Sequence, residues 1–451
     1  MSDPSPVTTS TTPVLGTEHR KRVAIGSTVG TTIENYDFIG YGTAAGLYFG
    51  TAFFPDSDPV TATLLSFATL GVGFAARPLG GIIGGYLGDK IGRKPVLITS
   101  LLVMGLATFA IGCLPTVASV GVLAPILLVI VRIIQGLAFG AEWGGAILMT
   151  FEHAPWRRKG QYGSIPQAGF PLGLLLANLA FLASSGLPGD WVWRVPFLLS
   201  ALLVFAGLWI RLKVEESPEF EGAKEEGRLE KNPLVAVLRN DWRNLLRAFC
   251  LRVAETAGYA VAITYMTSYL KDNALAQPSE TIAAIVIAAL IGFPATLFWG
   301  WLGDRIGRKP VYVFGTTVIL LSGIPLFLMA NTGSFGLIVV VFVVSFAICQ
   351  NSLAGTQGAW FPELFETGTR SSGASLAYQL SAVVSGFTAA WAVSLFAAFG
   401  WVGPAVLFSF FGLVGLIAAL LTKETNGPAR RAENREAEQI ATGAITTPAR
   451  V

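Results

Sequence analysis

The chain has 451 residues, of which 53% are hydrophobic and 13% charged, and its net charge is +3. Soluble domains average about 25% charged residues, so a chain with a mean hydropathy of +0.60 cannot cover itself with a water-facing surface. The small, scattered charge excludes a nucleic-acid-binding footprint. Cys113, Cys250 and Cys349 lie singly in apolar runs, which excludes a disulfide framework or a cysteine metal site.

Residues 1–22 are polar and rich in Ser, Thr and Pro, with no apolar segment followed by a cleavage site. They read as a disordered cytoplasmic N-terminus. A membrane-crossing helix needs about 20 mostly apolar residues. Twelve such runs follow, near 24–52, 61–87, 95–114, 120–150, 162–186, 195–212, 245–270, 281–302, 311–330, 334–356, 372–398 and 402–422. The longest polar interruption, residues 213–244, falls between runs six and seven. The predicted organisation is therefore an all-α integral membrane protein: a six-helix bundle over 23–212, a cytoplasmic linker over 213–244, a second six-helix bundle over 245–422, and a disordered cytoplasmic tail over 423–451.

The two bundles carry a repeat. Gly85–Pro95 reads GYLGDKIGRKP and Gly300–Pro310 reads GWLGDRIGRKP, with nine of eleven positions identical at an offset of 215 residues. Duplicated halves in a membrane chain point to a pseudo-symmetric transporter that rocks about a central site. Lys and Arg cluster on the side that holds both loops, the linker and both termini. The opposite loops hold Lys271. That asymmetry places both termini in the cytoplasm.

Ionisable residues inside the hydrocarbon are costly and usually mark function. Glu34 and Asp37 are three apart on the first run and share a helix face. Arg132 on the fourth run lies at a similar depth, and an Asp37–Arg132 pair would balance charge attraction against burial. Proton coupling is therefore assigned to Asp37, Glu34 and Arg132. Arg252 and Glu255 are three apart on the seventh run, and a guanidinium binds a carboxylate bidentately. Arg252, with Arg132 as alternative, is the expected carboxylate ligand. An internal Arg252–Glu255 salt bridge near the gate is the competing reading. Tyr36, Gln135, Gln167, Tyr259 and Asn351 complete the expected substrate site, and each could equally be a helix–helix hydrogen bond. Arg77 and Glu142 read as gate packing or charge relay.

The loops read as cytoplasmic gates: Asp89 and Arg93 in the first copy, Asp304 and Arg308 in the second. Glu152 and Lys159 are seven apart after run four, and Glu363 and Arg370 are seven apart after run ten. Near-surface ion pairs between such acids and Arg93 or Arg308 would each contribute about 0–1 kcal/mol. No GxxxxGK[ST] phosphate loop and no nucleophile–base or metal motif stands out, so neither ATP-driven transport by this chain nor enzymatic activity is supported. No cofactor is implied.

The repeated G-x-L-x-D-x-x-G-R-K loop resembles the signature of the major facilitator superfamily. GTTIENYDFIGYG (Gly30–Gly42), RPLGG (Arg77–Gly81), RIIQGLAFGAEWGG (Arg132–Gly145), WRVPF (Trp193–Phe197) and ELFETGTR (Glu363–Arg370) resemble the metabolite:H⁺ symporter family within it. AEWGG and LRVAETAGY (Leu251–Tyr259) are similar to its shikimate-transporter-like branch. The resemblance runs from about residue 20 to 425 and implies a proton-coupled importer of a small hydrophilic organic acid in a bacterial cytoplasmic membrane, expected to work as a monomer. It also implies acid–base pairs that lock the cytoplasmic gate. The alternatives are a zwitterionic-osmolyte importer, disfavoured by the lack of a C-terminal coiled coil, and a non-transporting sensor.

Overall fold

The computed structural model describes residues 17–91, 93–142, 151, 154, 156–212, 237–239, 241–365 and 370–432, and among them there are helices and no strands. Twelve long helical segments appear in the predicted order. In the first half these are α1 (Thr17–Ala44, continuing through Ala45–Phe49 and Gly50–Phe53), α2 (Pro59–Ile91), α3 (Arg93–Cys113), α4 (Leu123–Glu142), α5 (Lys159–Gln167 and Gly169–Ser184) and α6 (Trp191–Leu212). In the second half they are α7 (Trp242–Tyr259, Ala260–Tyr265 and Met266–Asp272), α8 (Pro278–Ile306), α9 (Arg308–Ala330), α10 (Phe335–Val343, Val344–Gln350 and Asn351–Leu364), α11 (Arg370–Phe399) and α12 (Val402–Leu421).

Among the described residues, nine of these helices are long and apolar enough to cross a membrane by composition alone. The other three are α1, α3 and α7. Glu34 and Asp37 in α1, and Arg247, Arg252 and Glu255 in α7, lower the hydropathy of helices that are long enough. The part of α3 whose side chains are described without a break is Ile98–Cys113, within the apolar run 95–114. An all-helical answer follows from the solvent, since backbone polar groups inside lipid must be satisfied within the segment.

The repeat is visible in backbone geometry. π-helical turns interrupt α1 at Ala45–Phe49 and α7 at Ala260–Tyr265, beginning at the same 215-residue offset as the duplicated loops. Such bulges widen a helix and often sit beside functional sites. Here they form part of the seam between halves: a methyl group on Gly42 would stand 3.4 Å from Thr264 Cγ2. The seam continues between α2 and α11, where Gly71 faces the ring of Phe387 and Gly386 faces Phe74. Within the first half, Gly80 and Gly84 of α2 let it close onto the α4 backbone at Leu137 and Ala141, where any Cβ would clash.

The tail departs from expectation. It is predicted to be disordered from residue 423, yet residues 423–432 are described and packed. The Glu424 carboxylate accepts hydrogen bonds from the backbone N–H groups of Arg308 (3.1 Å) and Lys309 (2.8 Å), at the start of α9. A carboxylate is favourable there because those amides have no helical partner. The predicted linker is described only from residue 237 onward, apart from residue 240, and residues 1–16 and 433–451 lie outside the described residues.

Candidate functional site

Asp37 sits on α1 at 1% exposure, and neither carboxylate oxygen has a hydrogen-bond partner among the described residues. Glu34, one turn earlier, is half-buried and lies within electrostatic range of Asp37. Arg132 on α4 is completely buried. It donates to Gln135 Oε1 on its own helix, and Gln135 Nε2 in turn donates to Thr108 Oγ1 at 2.7 Å. Its guanidinium also covers the Tyr41 ring, 3.8 Å from the centroid.

The expected Asp37–Arg132 contact is not formed. The two side chains are within electrostatic reach, but no hydrogen bond or ion pair joins them. Depth arithmetic places them at one level of the membrane. It does not fix the azimuth of the guanidinium, which Gln135 and Tyr41 hold elsewhere. Arg132 Nε and Nη2 are left without partners, as are both oxygens of Asp37.

Arg77 on α2 is 5% exposed, and its Cζ stands 3.8, 3.9 and 3.9 Å from the ring centroids of Phe38, Phe74 and Phe139. An isolated buried ion costs several kcal/mol. Each cation–π contact in a desolvated site returns about 2 kcal/mol, so three rings offset much of that cost without an anion.

The second half is different. Arg252 Nη1 donates to Glu255 Oε2 and to Gln357 Oε1 (2.8 Å). Gln350 Nε2 donates to Glu255 Oε1, Gln357 Nε2 donates to Tyr312 Oη (2.7 Å), and Tyr312 Oη donates to the Leu251 carbonyl (2.9 Å). The Arg252 guanidinium lies 3.7 Å over the Tyr378 ring. This is the internal salt bridge of the competing reading, extended across α7, α9, α10 and α11.

The remaining expected contacts are dispersed. Tyr36 Oη donates to the Pro196 carbonyl at 2.6 Å, inside the first half. Asn351 Nδ2 donates to the Gly292 carbonyl at 2.9 Å, inside the second, with Oδ1 left unpartnered. Gln167 Nε2 reaches across the halves to the Ala354 carbonyl at 3.3 Å. Tyr259 joins Phe170 and Phe346 in an aromatic group spanning both halves, with centroids 5.1 and 6.3 Å from its own.

On the face carrying the duplicated loops, Asp304 ties the halves together. Its Oδ1 accepts from Gly160 N and its Oδ2 from Gln161 N, each at 2.8 Å, capping the start of α5. Arg308 pairs with Asp304 (2.8 Å) and Glu363 (3.4 Å). Near-surface pairs are expected here, but the Arg308 side chain is 2% exposed, because Glu424 and the packed tail close over the loop. Gly307 at φ 113° makes the turn that a side chain would strain. Arg370 Nε donates to the Pro362 carbonyl at 3.0 Å. Backbones of α5 and α10 meet at Gly163 and Gly358. The side chains of Asp89, Arg93, Glu142 and Glu152 lie outside the described residues.

The opposite face is also bridged. Lys271 Nζ donates to the Leu47 carbonyl at 2.8 Å, and Thr63 Oγ1 donates to Asp272 Oδ2 at 3.2 Å. Burial lifts the Asp272 carboxyl above its ordinary value, with Lys271 and Thr63 opposing. With contacts between halves at both ends, the charged centre is enclosed. No group of three or more His, Cys, Asp or Glu side chains among the described residues is placed to hold a metal.

Sequence reasoning missed Tyr41, Thr108, Tyr312, Gln357 and Glu424 as partners, and the three rings that enclose Arg77. The signal for Arg77 was an arginine in the apolar run of α2, set among helices rich in Phe.

The Major Facilitator Superfamily model matches residues 48–356 and 248–449. The Escherichia coli inner membrane metabolite transport protein YhjE is 39% identical over 90% of this chain and 94% of its own length. The E. coli shikimate transporter is 37% identical over 92% and 98%. The E. coli proline/betaine transporter is 33% identical over 93% and 87%. The solved proton:xylose symporter XylE bound to 6-bromo-6-deoxy-D-glucose superposes with a TM-score of 0.71 at 17% identity, covering 93% of this chain and 99% of that one. The duplicated loops, the twelve helices and these matches agree, and the chain belongs to the Major Facilitator Superfamily.

Proposed function

We propose that the chain imports a small hydrophilic organic acid, of the shikimate kind, together with a proton by alternating access. The observation that carries this reading is Asp37: a carboxyl buried inside the helical bundle with no hydrogen bond or ion pair formed to either oxygen. A structural carboxylate at that depth would be paired. One that is not is suited to gain and lose a proton as the cavity opens. Glu34 relays the proton on the same helix face, and Arg132 sets the field at Asp37. Cationic side chains on both halves, with Gln167 and Tyr259 at the seam and Gln135 and Asn351 within the two halves, favour an anion with hydroxyl groups. Asp304, Arg308, Glu363 and the matching first-half residues close the cytoplasmic side. Both termini are cytoplasmic, the membrane is a bacterial plasma membrane, and the working unit is a monomer.

The reading draws support from the similarity to a shikimate transporter. A second reading, uptake of a zwitterionic osmolyte, is favoured by the similarity to a proline/betaine transporter and by the Phe170–Tyr259–Phe346 aromatic group, which suits a quaternary ammonium. Purified protein in proteoliposomes separates the two. Labelled shikimate is expected to accumulate under an inward proton gradient and to be displaced by other carboxylates. Accumulation of glycine betaine with indifference to shikimate supports the second reading. Uptake that ignores the gradient removes the coupling.

A further inference from the structure

Three buried arginines face the centre, and they differ in what compensates them. The Arg252 charge is met by the Glu255 carboxylate, with Gln357 and Tyr378 also against the guanidinium and its Nε left without a partner. Arg132 has Gln135 as a neutral partner and Asp37 within electrostatic reach. Arg77 has three rings against its guanidinium, with the Glu34 carboxylate and Tyr378 within electrostatic reach. Among the described residues no hydrogen bond or ion pair reaches its guanidinium, and its Nε is buried without a partner. Arg132, Arg252, Glu34 and Tyr378 all lie within its electrostatic range, which brings it near both other cations and the second half. Its cage belongs to the seam: Phe74 packs on Gly386 of α11, the helix that also carries Tyr378.

We propose that Arg77 is the primary carboxylate ligand of the transported solute. This rests on the reading of the chain as an organic-acid importer. The cage holds the guanidinium planar and fixed while leaving its hydrogen-bonding capacity unspent, which is the arrangement a bidentate anion contact needs. The cage and the field of Glu34 offset burial only in part, since no carboxylate is hydrogen-bonded to the guanidinium, and the direct counter-charge is the substrate's. Arg252 does not fill the role, because a substrate carboxylate there must displace Glu255 or Gln357. Binding at Arg77 also places the solute at the α2–α11 seam, within reach of both halves, so loading the site bears on how the halves close. Phe38 follows Asp37 directly in α1, so the cage wall and the proposed proton carrier move as one helix segment.

The test is discrimination between an acid and its neutral ester. Binding to purified protein is measured for shikimate, 4-hydroxybenzoate and 2-oxoglutarate, each against its methyl ester, for wild type, Arg77→Gln, Arg77→Lys and Arg252→Gln. Wild type is expected to prefer at least one acid over its ester. Arg77→Gln is expected to lose that preference through an about 10- to 100-fold weaker affinity for the acid and little change for the ester. Arg77→Lys keeps the charge and is expected to retain the preference at reduced affinity, which also covers a failure of Arg77→Gln to fold. Full retention of the preference in Arg77→Gln, or an Arg77→Lys protein as indifferent as a neutral one, overturns the proposal and leaves the importer reading standing. Loss in Arg252→Gln with retention in Arg77→Gln transfers the role to Arg252. A wild type without preference for any acid overturns the importer reading itself, and the proposal with it.

Discussion

At the repeat offset of 215 residues, Asp37 on α1 and Arg252 on α7 hold the same position in their halves. Both are buried, and both follow a helix toward a π-helical turn. Arg252 is tied to Glu255 and Gln357 and covers Tyr378. Asp37 forms no hydrogen bond or ion pair among the described residues and has Thr108, Arg132 and Glu34 within electrostatic reach. The same offset sets Arg77 against Gly292, whose missing side chain leaves room for the Phe346 ring and Asn351. Duplication therefore supplied one scaffold twice, and substitution gave its halves separate tasks. The second half pairs its buried carboxylate with its guanidinium in a network across four helices, in which Arg252 Nε and Gln350 Oε1 stay without partners. The first half leaves a carboxyl and two guanidinium groups with open valences, and chemistry is available there.

That contrast can be broken by substitution. The largest expected effect is on stability in the second half. Arg252→Ala leaves Glu255 buried without its cation, and breaking such a pair costs about 3–5 kcal/mol. A thermal melt in detergent reads this as a clear fall in Tm, whereas Asp37→Asn is expected to leave Tm unchanged or raise it. Equal falls in the two variants erase the difference between halves.

The next effect concerns closure. A leucine at Gly358 meets the Gly163 backbone, and overpacking of this kind costs about 1–3 kcal/mol. Gly358→Leu is expected to hold the face bearing the duplicated loops open, read as faster labelling of a cysteine placed on α5 near Gly163. Asp304→Asn removes a charged acceptor from two backbone amides and Arg308, with an expected cost of about 1–3 kcal/mol to the closed state. Labelling rates unchanged from wild type in both variants would show that these contacts do not gate.

The smallest effect lies on the opposite face. The Asp272 carboxyl is raised by burial while Thr63 bridges to it from the other half. A raised acid favours the closed form at pH below its ordinary value, and that preference fades as pH rises through the raised one. Closure of this face is therefore expected to strengthen slightly on acidification in wild type. Asp272→Asn should flatten the dependence, read by comparing the labelling of a cysteine at Val60 in the two proteins at each pH across pH 4–7.

The features legible in the sequence are those that one helix carries. The twelve apolar runs, the duplicated loops and the i, i+3 pairing of Arg252 with Glu255 all depend on spacing along a single chain segment. The Asp304–Arg308 pair was likewise readable as part of its loop. Features assembled across helices were hidden. Phe38, Phe74 and Phe139 come from α1, α2 and α4, so nothing local marks them as one cage around Arg77. Gln357 and Tyr312 join Glu255 from α10 and α9. Asp37 and Arg132 lie within electrostatic reach, but spacing along each helix does not show that Gln135 and Tyr41 hold the guanidinium away from the carboxyl. The segment at Glu424 reads as polar tail, because its use is as a cap for amides over a hundred residues away.

The central claim is that Asp37 carries the coupled proton. The most direct measurement compares two fluxes of labelled shikimate in proteoliposomes holding wild type or Asp37→Asn: accumulation driven by an inward proton gradient, and exchange against unlabelled shikimate without one. The account predicts that wild type does both, while Asp37→Asn exchanges at a comparable rate and accumulates nothing. Gradient-driven accumulation by Asp37→Asn equal to that of wild type would contradict it.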